Sequence, residues 1–381
     1  ASPMEEGCFV VDAGSSSVKV GYSGEDSPRS IFPAIVDDPV LLLSFSRRPE
    51  ARDGGDESLQ HPIQRSRVTD WDKMERMFDH MFDTELHVYP DNGMGSGTPV
   101  LMTEPPLVEY KAREKMAQLL FETFKAPAIA LCNSGTLSLF ASGRTRGVVL
   151  ECGSGTTSAV PIFEGFSLNH ATLRLDVGGQ DVTQRMHSML TERKRMDLPM
   201  DSARVIKEKL AHISTDTPVQ QEPPAEFELP DGSVITVDSE CRNRCATDLL
   251  FPAISPESLD LSLAAQPDNG LAALVQKSIL MCDKDLQPDL FNSVVLSGGS
   301  TMFPGFSERL RRDLESVVMP GTEFSVVPDS RQAERGYSSQ RKHAAWIGGS
   351  MFGSLETAKH VFVSRQEWED IGESVVHKKS L

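Results

Sequence analysis

The chain has 381 residues, 39% of them hydrophobic and 24% charged, with a formal net charge of −17. That length exceeds one ordinary domain and predicts roughly two cores; so acidic a balance excludes a nucleic-acid backbone as the main partner, since such binding runs on clustered Lys and Arg. No apolar run approaches the roughly 18 residues of a membrane span, so a basic or neutral protein surface is the expected partner.

The opening ASPMEEGCF has neither the basic head nor the apolar middle of a secretory signal. Six scattered cysteines then fit reduced thiols in an intracellular compartment. The first predicted element is CFVVDAGSSSVKVGYSG (8–24): a β-branched apolar run ends in Asp12, a glycine and serines follow, and apolar residues return. It predicts strand, tight turn and strand, with glycine admitting close backbone approach and N–H groups and hydroxyls facing an anion. The polar, charged stretch SRRPEARDGGDESLQ (46–60) predicts an exposed loop. WDKMERMFDHMFDTEL (71–86) and YKAREKMAQLLFETF (110–124) place Met, Leu and Phe at helical spacing, so their methionines are expected in the core.

GVVLECGSGTTSAVPIFEG (147–165) then repeats the first hairpin, with Glu151 in the place of Asp12 and Gly153-Ser154 in the place of Gly14-Ser15. The copies lie a whole domain apart, which is duplication rather than a solenoid repeat. Farther on, the proline-rich DTPVQQEPPAEFELPDG (216–232) predicts a second exposed loop. CRNRC (241–245) has the spacing of half a zinc site but no second ligand pair nearby. SVVLSGGSTMFPGFSERLRRDLES (293–316) joins a buried strand, through Gly298-Gly299, to a helix starting near Ser307 with Leu310, Leu314 and Val317 on its apolar face. Each of the three turns alone also reads as an ordinary connection. Together they describe a nucleotide in a cleft between two similar halves.

In chain order, VDAGSSSVKVGYSGEDSPRSIFPAIV (11–36), HPIQRSRVTDWDKME (61–75), VLMTEPPL (100–107), LSLFASGRTRGVVL (137–150), LRLDVGGQDVT (173–183), ELPDGSVIT (228–236), VVLSGGSTMFPG (294–305) and WIGGSMFGSL (346–355) resemble segments of actin and the actin-related proteins. The resemblance implies an α/β actin-like ATPase fold with two duplicated domains flanking a nucleotide cleft. The outer domain would be 1–137 plus 334–381, with 37–60 as a variable exposed loop, and the inner domain 138–333. It implies ATP or ADP with Mg as the cofactor. Asp12 and Glu151 would hold the metal through water, Glu151 being one methylene longer than the family's aspartate. Gly14, Ser15, Ser16 and Lys19 match the first phosphate loop, with Ser16 in place of the usual glycine and the lysine acting as a point charge. Gly153, Ser154, Gly155, Thr156 and Thr157 match the second, with Ser154 where the family has an aspartate. Lys207 and Glu208 match the pair beside the adenosine, and Gly298, Gly299, Thr301, Met302 and Phe303 match the turn at the nucleoside. Lys342 matches the last contact, beside an insertion in GYSSQRK (336–342).

In this family a glutamine and a histidine orient the attacking water, and phosphoryl transfer depends mainly on positioning and electrostatics. Here Ser134 and Ser158 stand at those places, too short for the task, so nucleotide binding with poor or no hydrolysis is expected and no catalytic residue is assigned. Segment 37–60 lacks the family's glycine-methionine tip, which argues against an ordinary homopolymer. Phe140, Gly143, Thr145 and Leu355 match the groove where the family receives partners; Ala358 and Val361, smaller than the family's residues, imply a changed specificity. The expected role is a structural or regulatory subunit of a cytoskeletal or motor-associated assembly in the cytoplasm and cytoskeleton, including a cilium or flagellum. Alternatives are a filament-forming divergent actin with altered ATP turnover and a nuclear chromatin-remodelling subunit, which no basic localisation run supports. From another class, a small-molecule kinase would need a general base that Ser134, Ser154 and Ser158 do not supply.

Overall fold

Strands β1 (Phe9–Ala13), β2 (Ser17–Tyr22) and β3 (Ser30–Pro33) are followed by a small hairpin, β4 (Ile63–Gln64) and β5 (Arg67–Val68), and then by β6 (Val100–Glu104) and β7 (Ala128–Asn133). A second set follows: β8 (Gly147–Cys152), β9 (Thr157–Phe163), β10 (Phe166–Ser167), β11 (Leu173–Leu175), a separate hairpin β12 (Ala225–Glu228) and β13 (Val234–Val237), β14 (Val294–Ser297), β15 (Val326–Val327) and finally β16 (Val363–Ser364). The structure, a computed structural model, describes residues 7–36, 61–88, 97–194, 198–215, 223–229, 232–252, 270–329, 335–379 and 381. The variable segment 37–60 and part of the proline-rich stretch lie outside the described residues, and with them the expectation about filament contacts.

One sheet runs β16-β7-β6-β1-β2-β3 and the other β10-β9-β8-β14-β15, with β11 also on β9. Each is headed by an antiparallel hairpin flanked by parallel strands, β6 and β7 beside β1, β14 and β15 beside β8. Parallel strands are covered on both faces, and β7 and β14 are accordingly buried at every residue. The hairpin registers place Asp12 opposite Lys19 and Glu151 opposite Ser158. Ser158 is thus the inner-sheet counterpart of Lys19.

The helices follow from the apolar spacing. Asp70 caps Trp71–His80 by accepting from the Lys73 N–H at 3.0 Å. The helix runs on through a wider π-type turn to Glu85 and buries Met74, Met77, Phe78, Met81 and Phe82. Tyr110–Gln118 continues the same way to Thr123, burying Met116, Leu120 and Phe121. The rings of Phe78, Phe82 and Phe124 meet at 5.1 to 6.3 Å, within the range of tilted and edge contacts. The late helix begins at Phe306, one residue before the expected Ser307, and buries Leu310 and Leu314. Between the sheets, helices Ser134–Ala141 and Ala344–Gly353 lie against each other. Leu137 packs with Val10, Leu101 and Trp346 on the outer side, while Leu139, two residues on, packs with Val149, Val160 and Val295 on the inner side. That helix therefore belongs to the cores of both halves.

CRNRC lies on the helix Ser239–Leu250, where Cys241 and Cys245 are buried and burial pushes the Cys245 thiol up to about 12. Such a thiol is inert at neutral pH. Between them Asn243 is wholly buried, and neither of its amide atoms has a hydrogen-bond partner. A stranded polar group of this kind costs about 1–3 kcal/mol. Asn243→Leu, close in volume, should raise stability by that order, seen as a higher urea midpoint with an unchanged slope. A lower midpoint would show that the amide is satisfied.

Candidate nucleotide site

The two hairpin turns close through the same hydrogen bond. Gly14 N–H donates to the Ser17 carbonyl at 3.1 Å, and Gly153 N–H donates to the Thr156 carbonyl at 2.9 Å. At the first turn Asp12 accepts from Lys19 Nζ at 2.7 Å through Oδ2 and from Thr103 Oγ1 at 2.7 Å through Oδ1. Burial works to raise its pKa, but the charge and hydrogen bond of Lys19, with the bond from Thr103, outweigh it and hold the carboxyl below its ordinary range. Glu151 on β8 goes the other way. Burial pushes it up to about 7, helped by the Asp12 charge and opposed by Lys19 and by the Ser134 hydroxyl, which donates to Oε2 at 2.8 Å.

Two half-buried carboxylates, with the Asp12 charge opposing ionisation of Glu151, are a natural seat for a divalent cation, which would neutralise both. Among the described residues no three His, Cys, Asp or Glu side chains converge to grip a metal directly. The pair fits an ion that keeps most of its water shell, as magnesium does. Asp12 and Lys19, paired on one hairpin, thus form one cluster with Ser134 and Glu151 from elements distant in sequence.

The second turn is tied into the inner half. The Gly153 carbonyl accepts from Gly179 N–H at 2.9 Å and from Ser300 Oγ at 3.0 Å, and the Ser154 carbonyl accepts from Gln180 N–H at 2.8 Å. Lys207 Nζ donates to the Gly179 carbonyl at 3.1 Å; burial lowers its pKa. The loop, the start of the helix Gly179–Lys194, Lys207 and the turn Gly299–Met302 therefore meet. Gly298 has φ +90°, and a Cβ there would lie 2.4 Å from the Cys152 carbonyl oxygen, so glycine alone lets this turn rest on the end of β8.

Other matched residues have other uses. The Thr157 hydroxyl donates to the Val177 carbonyl at 2.8 Å, the Phe303 ring belongs to the inner core, and Glu208 is exposed and pairs with Arg204 at 3.4 Å. The expected insertion is the helix Arg335–Gln340 and the turn Arg341–His343. Arg341, one residue before Lys342, donates to the Thr301 carbonyl at 2.8 Å and to Thr301 Oγ1 at 3.1 Å, and accepts from Gly298 N–H. Burial first, then the charges of Lys19 and Lys342, hold His343 down at about 4, so it is neutral at pH 7.

Thr103, Arg341, His343 and the β4–β5 turn carried no site signal of their own in the sequence. Thr103, the last residue but one of β6, is set apart only by the strand that lies beside it, β1.

Duplication carried down to single turn hydrogen bonds, with a half-buried carboxylate from each half on the seam, marks a two-domain α/β fold of the actin-like ATPase kind. Residues 4–201 and 199–381 match the model of the Actin family. With nearly the whole chain covered, the protein belongs to the actin family and is an actin-like nucleotide-binding protein. Members of that family generally bind nucleotide with magnesium and are proteins of cytoskeletal type.

Proposed function

We propose that this chain is a nucleotide-holding, hydrolysis-poor actin-like subunit with a structural or regulatory role in a cytoskeletal or motor-associated assembly. The observation that carries this is the 2.8 Å hydrogen bond from Ser134 to Glu151. Where the family places a glutamine to orient water, this hydroxyl is committed to the carboxylate on the metal side. Ser158, at the histidine's place, is short and buried in β9. Asp12 and Glu151 would hold hydrated magnesium, Lys19 would face the phosphates, and Lys207 with the Gly298–Phe303 turn would border the nucleoside. Bound magnesium would neutralise phosphate charge. A nucleotide gripped by both halves stabilises their closure by mass action.

Partner proteins would use the groove beside the paired helices, where Phe140 stacks on Phe352 at 6.1 Å and Leu355 is 54% exposed. Gly143 N–H donates to the Phe140 carbonyl, and the Thr145 carbonyl accepts from Gly165 N–H, which shapes the end of that groove. Among the described residues no helix is long and apolar enough to cross a membrane.

Gel-filtered protein should retain a stoichiometric adenine nucleotide in magnesium and lose it in EDTA, and light scattering should stay flat when salt and magnesium are added. Proton and cation compete for Glu151 below about pH 7, so affinity for magnesium nucleotide should rise with pH to about 7 and level off above it. A chain that keeps no nucleotide in magnesium, or one that scatters light as a polymer does, would overturn the proposal.

A further inference from the structure

Gly298 and Gly299 leave the turn that follows β14 with little stiffness of its own, since glycine has the widest choice of backbone states. Thr301 supplies the first restraint: its N–H and its hydroxyl both donate to the Gly298 carbonyl, at 3.1 and 2.7 Å. Ser300 ties one side of the turn to the Gly153 carbonyl of the second phosphate loop. The other side is held by the insertion. Arg341 donates from Nε to Thr301 Oγ1 at 3.1 Å and from Nη2 to the Thr301 carbonyl at 2.8 Å, and its own carbonyl accepts from Gly298 N–H at 3.1 Å. Hydrogen bonds therefore run in one chain from the guanidinium through the Thr301 hydroxyl to Gly298, and each polarises the next.

The inserted helix Arg335–Gln340 aims that guanidinium. Arg341 Nη1 donates back to the Ser338 carbonyl at 2.6 Å, and the Tyr337 hydroxyl donates to the Leu296 carbonyl at 2.8 Å on β14, the strand that leads into the turn. Tyr337 also packs against the inner core of Val149, Val160, Val295 and Val327. Arg341 is only 9% exposed, and the acceptors of its hydrogen bonds are the carbonyls and hydroxyls of Thr301 and Ser338, none of them charged. Placing a guanidinium on neutral acceptors in a buried position costs desolvation that a bare connection between β15 and the next helix would not require.

We propose that the inserted helix is a brace: Tyr337 seats it on the inner sheet, and Arg341 is a positioning residue that fixes the Gly298–Met302 turn in its nucleotide-receiving shape before nucleotide arrives. That the turn receives nucleotide rests on the function proposed above; the brace itself does not. A turn already in its bound shape avoids the ordering cost that a loose one would meet on binding, so the brace raises affinity.

The test compares the parent chain with Arg341→Lys, Arg341→Met and Tyr337→Phe. Lysine keeps the charge and loses the fork, methionine loses both, and phenylalanine removes one hydroxyl while leaving the ring in the core. Titration with ATP and with ADP in magnesium should show affinity about tenfold weaker in both Arg341 variants and about threefold weaker in Tyr337→Phe, the order expected for losing bonds from a charged and a neutral donor. ATP and ADP should lose by the same factor in each variant, because the turn borders the nucleoside and not the last phosphate. Hydrogen–deuterium exchange over residues 296–302, in EDTA-treated, nucleotide-free protein, should quicken in the same rank order. A merely structural role would move the urea midpoint and leave nucleotide affinity, read far below the transition, unchanged. Unchanged affinity or unchanged exchange in Arg341→Met, or a loss confined to ATP, would overturn the brace. Should the parent bind neither nucleotide, the function proposed above fails, and the exchange arm still decides the brace.

Discussion

Ser134→Gln made alone should leave phosphate release unchanged, whereas Ser134→Gln with Glu151→Asp and Ser158→His should raise it by at least about 10²-fold, the worth of one well-placed positioning group. The reason for the difference is the Ser134–Glu151 contact. Glu151 reaches the serine hydroxyl at 2.8 Å, so its extra methylene occupies room that a glutamine at 134 would need. Shortening the acid and lengthening its neighbour must therefore go together. Ser158 sits directly across the strand pair from Glu151, and a histidine there would supply the second orienting group. A factor of 10² is about 2.7 kcal/mol of transition-state stabilisation. Single-turnover release from radiolabelled ATP reads the parent, the single and the triple variant in one series. A parent as fast as the triple variant would sink the view that this nucleotide is held rather than spent.

Gly348→Ala should be among the most damaging single-methyl additions in the chain. Helix Ala344–Gly353 rests directly on helix Ser134–Ala141, and a Cβ at 348 would lie 1.7 Å from the Leu137 carbonyl oxygen and 2.4 Å from its carbon. Those are backbone atoms of a helix that serves the cores of both halves, so no side-chain rotation relieves the clash. Overpacking commonly costs about 1–3 kcal/mol, and a backbone collision at this distance should exceed the upper figure. At about 2–4 °C per kcal/mol for a large domain, the expected loss in melting temperature is about 10 °C, or loss of soluble protein altogether. Gly299→Ala, whose Cβ would meet nothing within 4 Å, is the control and should melt with the parent in the nucleotide-free state. Equal melting of the two variants would mean that the helices are farther apart than described.

The fold was legible wherever chemistry repeats at short range. The alternating and continuous apolar runs around Asp12 and Glu151 specified the two hairpins, and the methionines at helical spacing specified the buried face of Trp71–His80. The paired acids Asp12 and Glu151 could also be picked out, because each stands one residue before the end of its strand and just ahead of a glycine turn. Thr103, Arg341 and the Arg65–Ser66 turn between β4 and β5 could not. Each acts through a partner distant in sequence, and nothing in its immediate neighbours distinguishes it from a residue of an ordinary strand end or surface turn. Likewise, Thr157 and Phe303 matched the family pattern by position, yet the hydroxyl of one serves Val177 and the ring of the other serves the inner core.

By itself the sequence determined the duplicated α/β plan, the two acid-headed turns and the shortness of Ser134 and Ser158, since these depend on local pattern and residue size. Only the tertiary structure decided that Glu151 reaches across to Ser134, that Arg65 pairs with Asp181, and that Gly348 must lack a side chain. Those facts depend on angles and distances between elements far apart in the chain, which are set by how two helices and two sheets pack, and packing is a property of the whole core rather than of any segment.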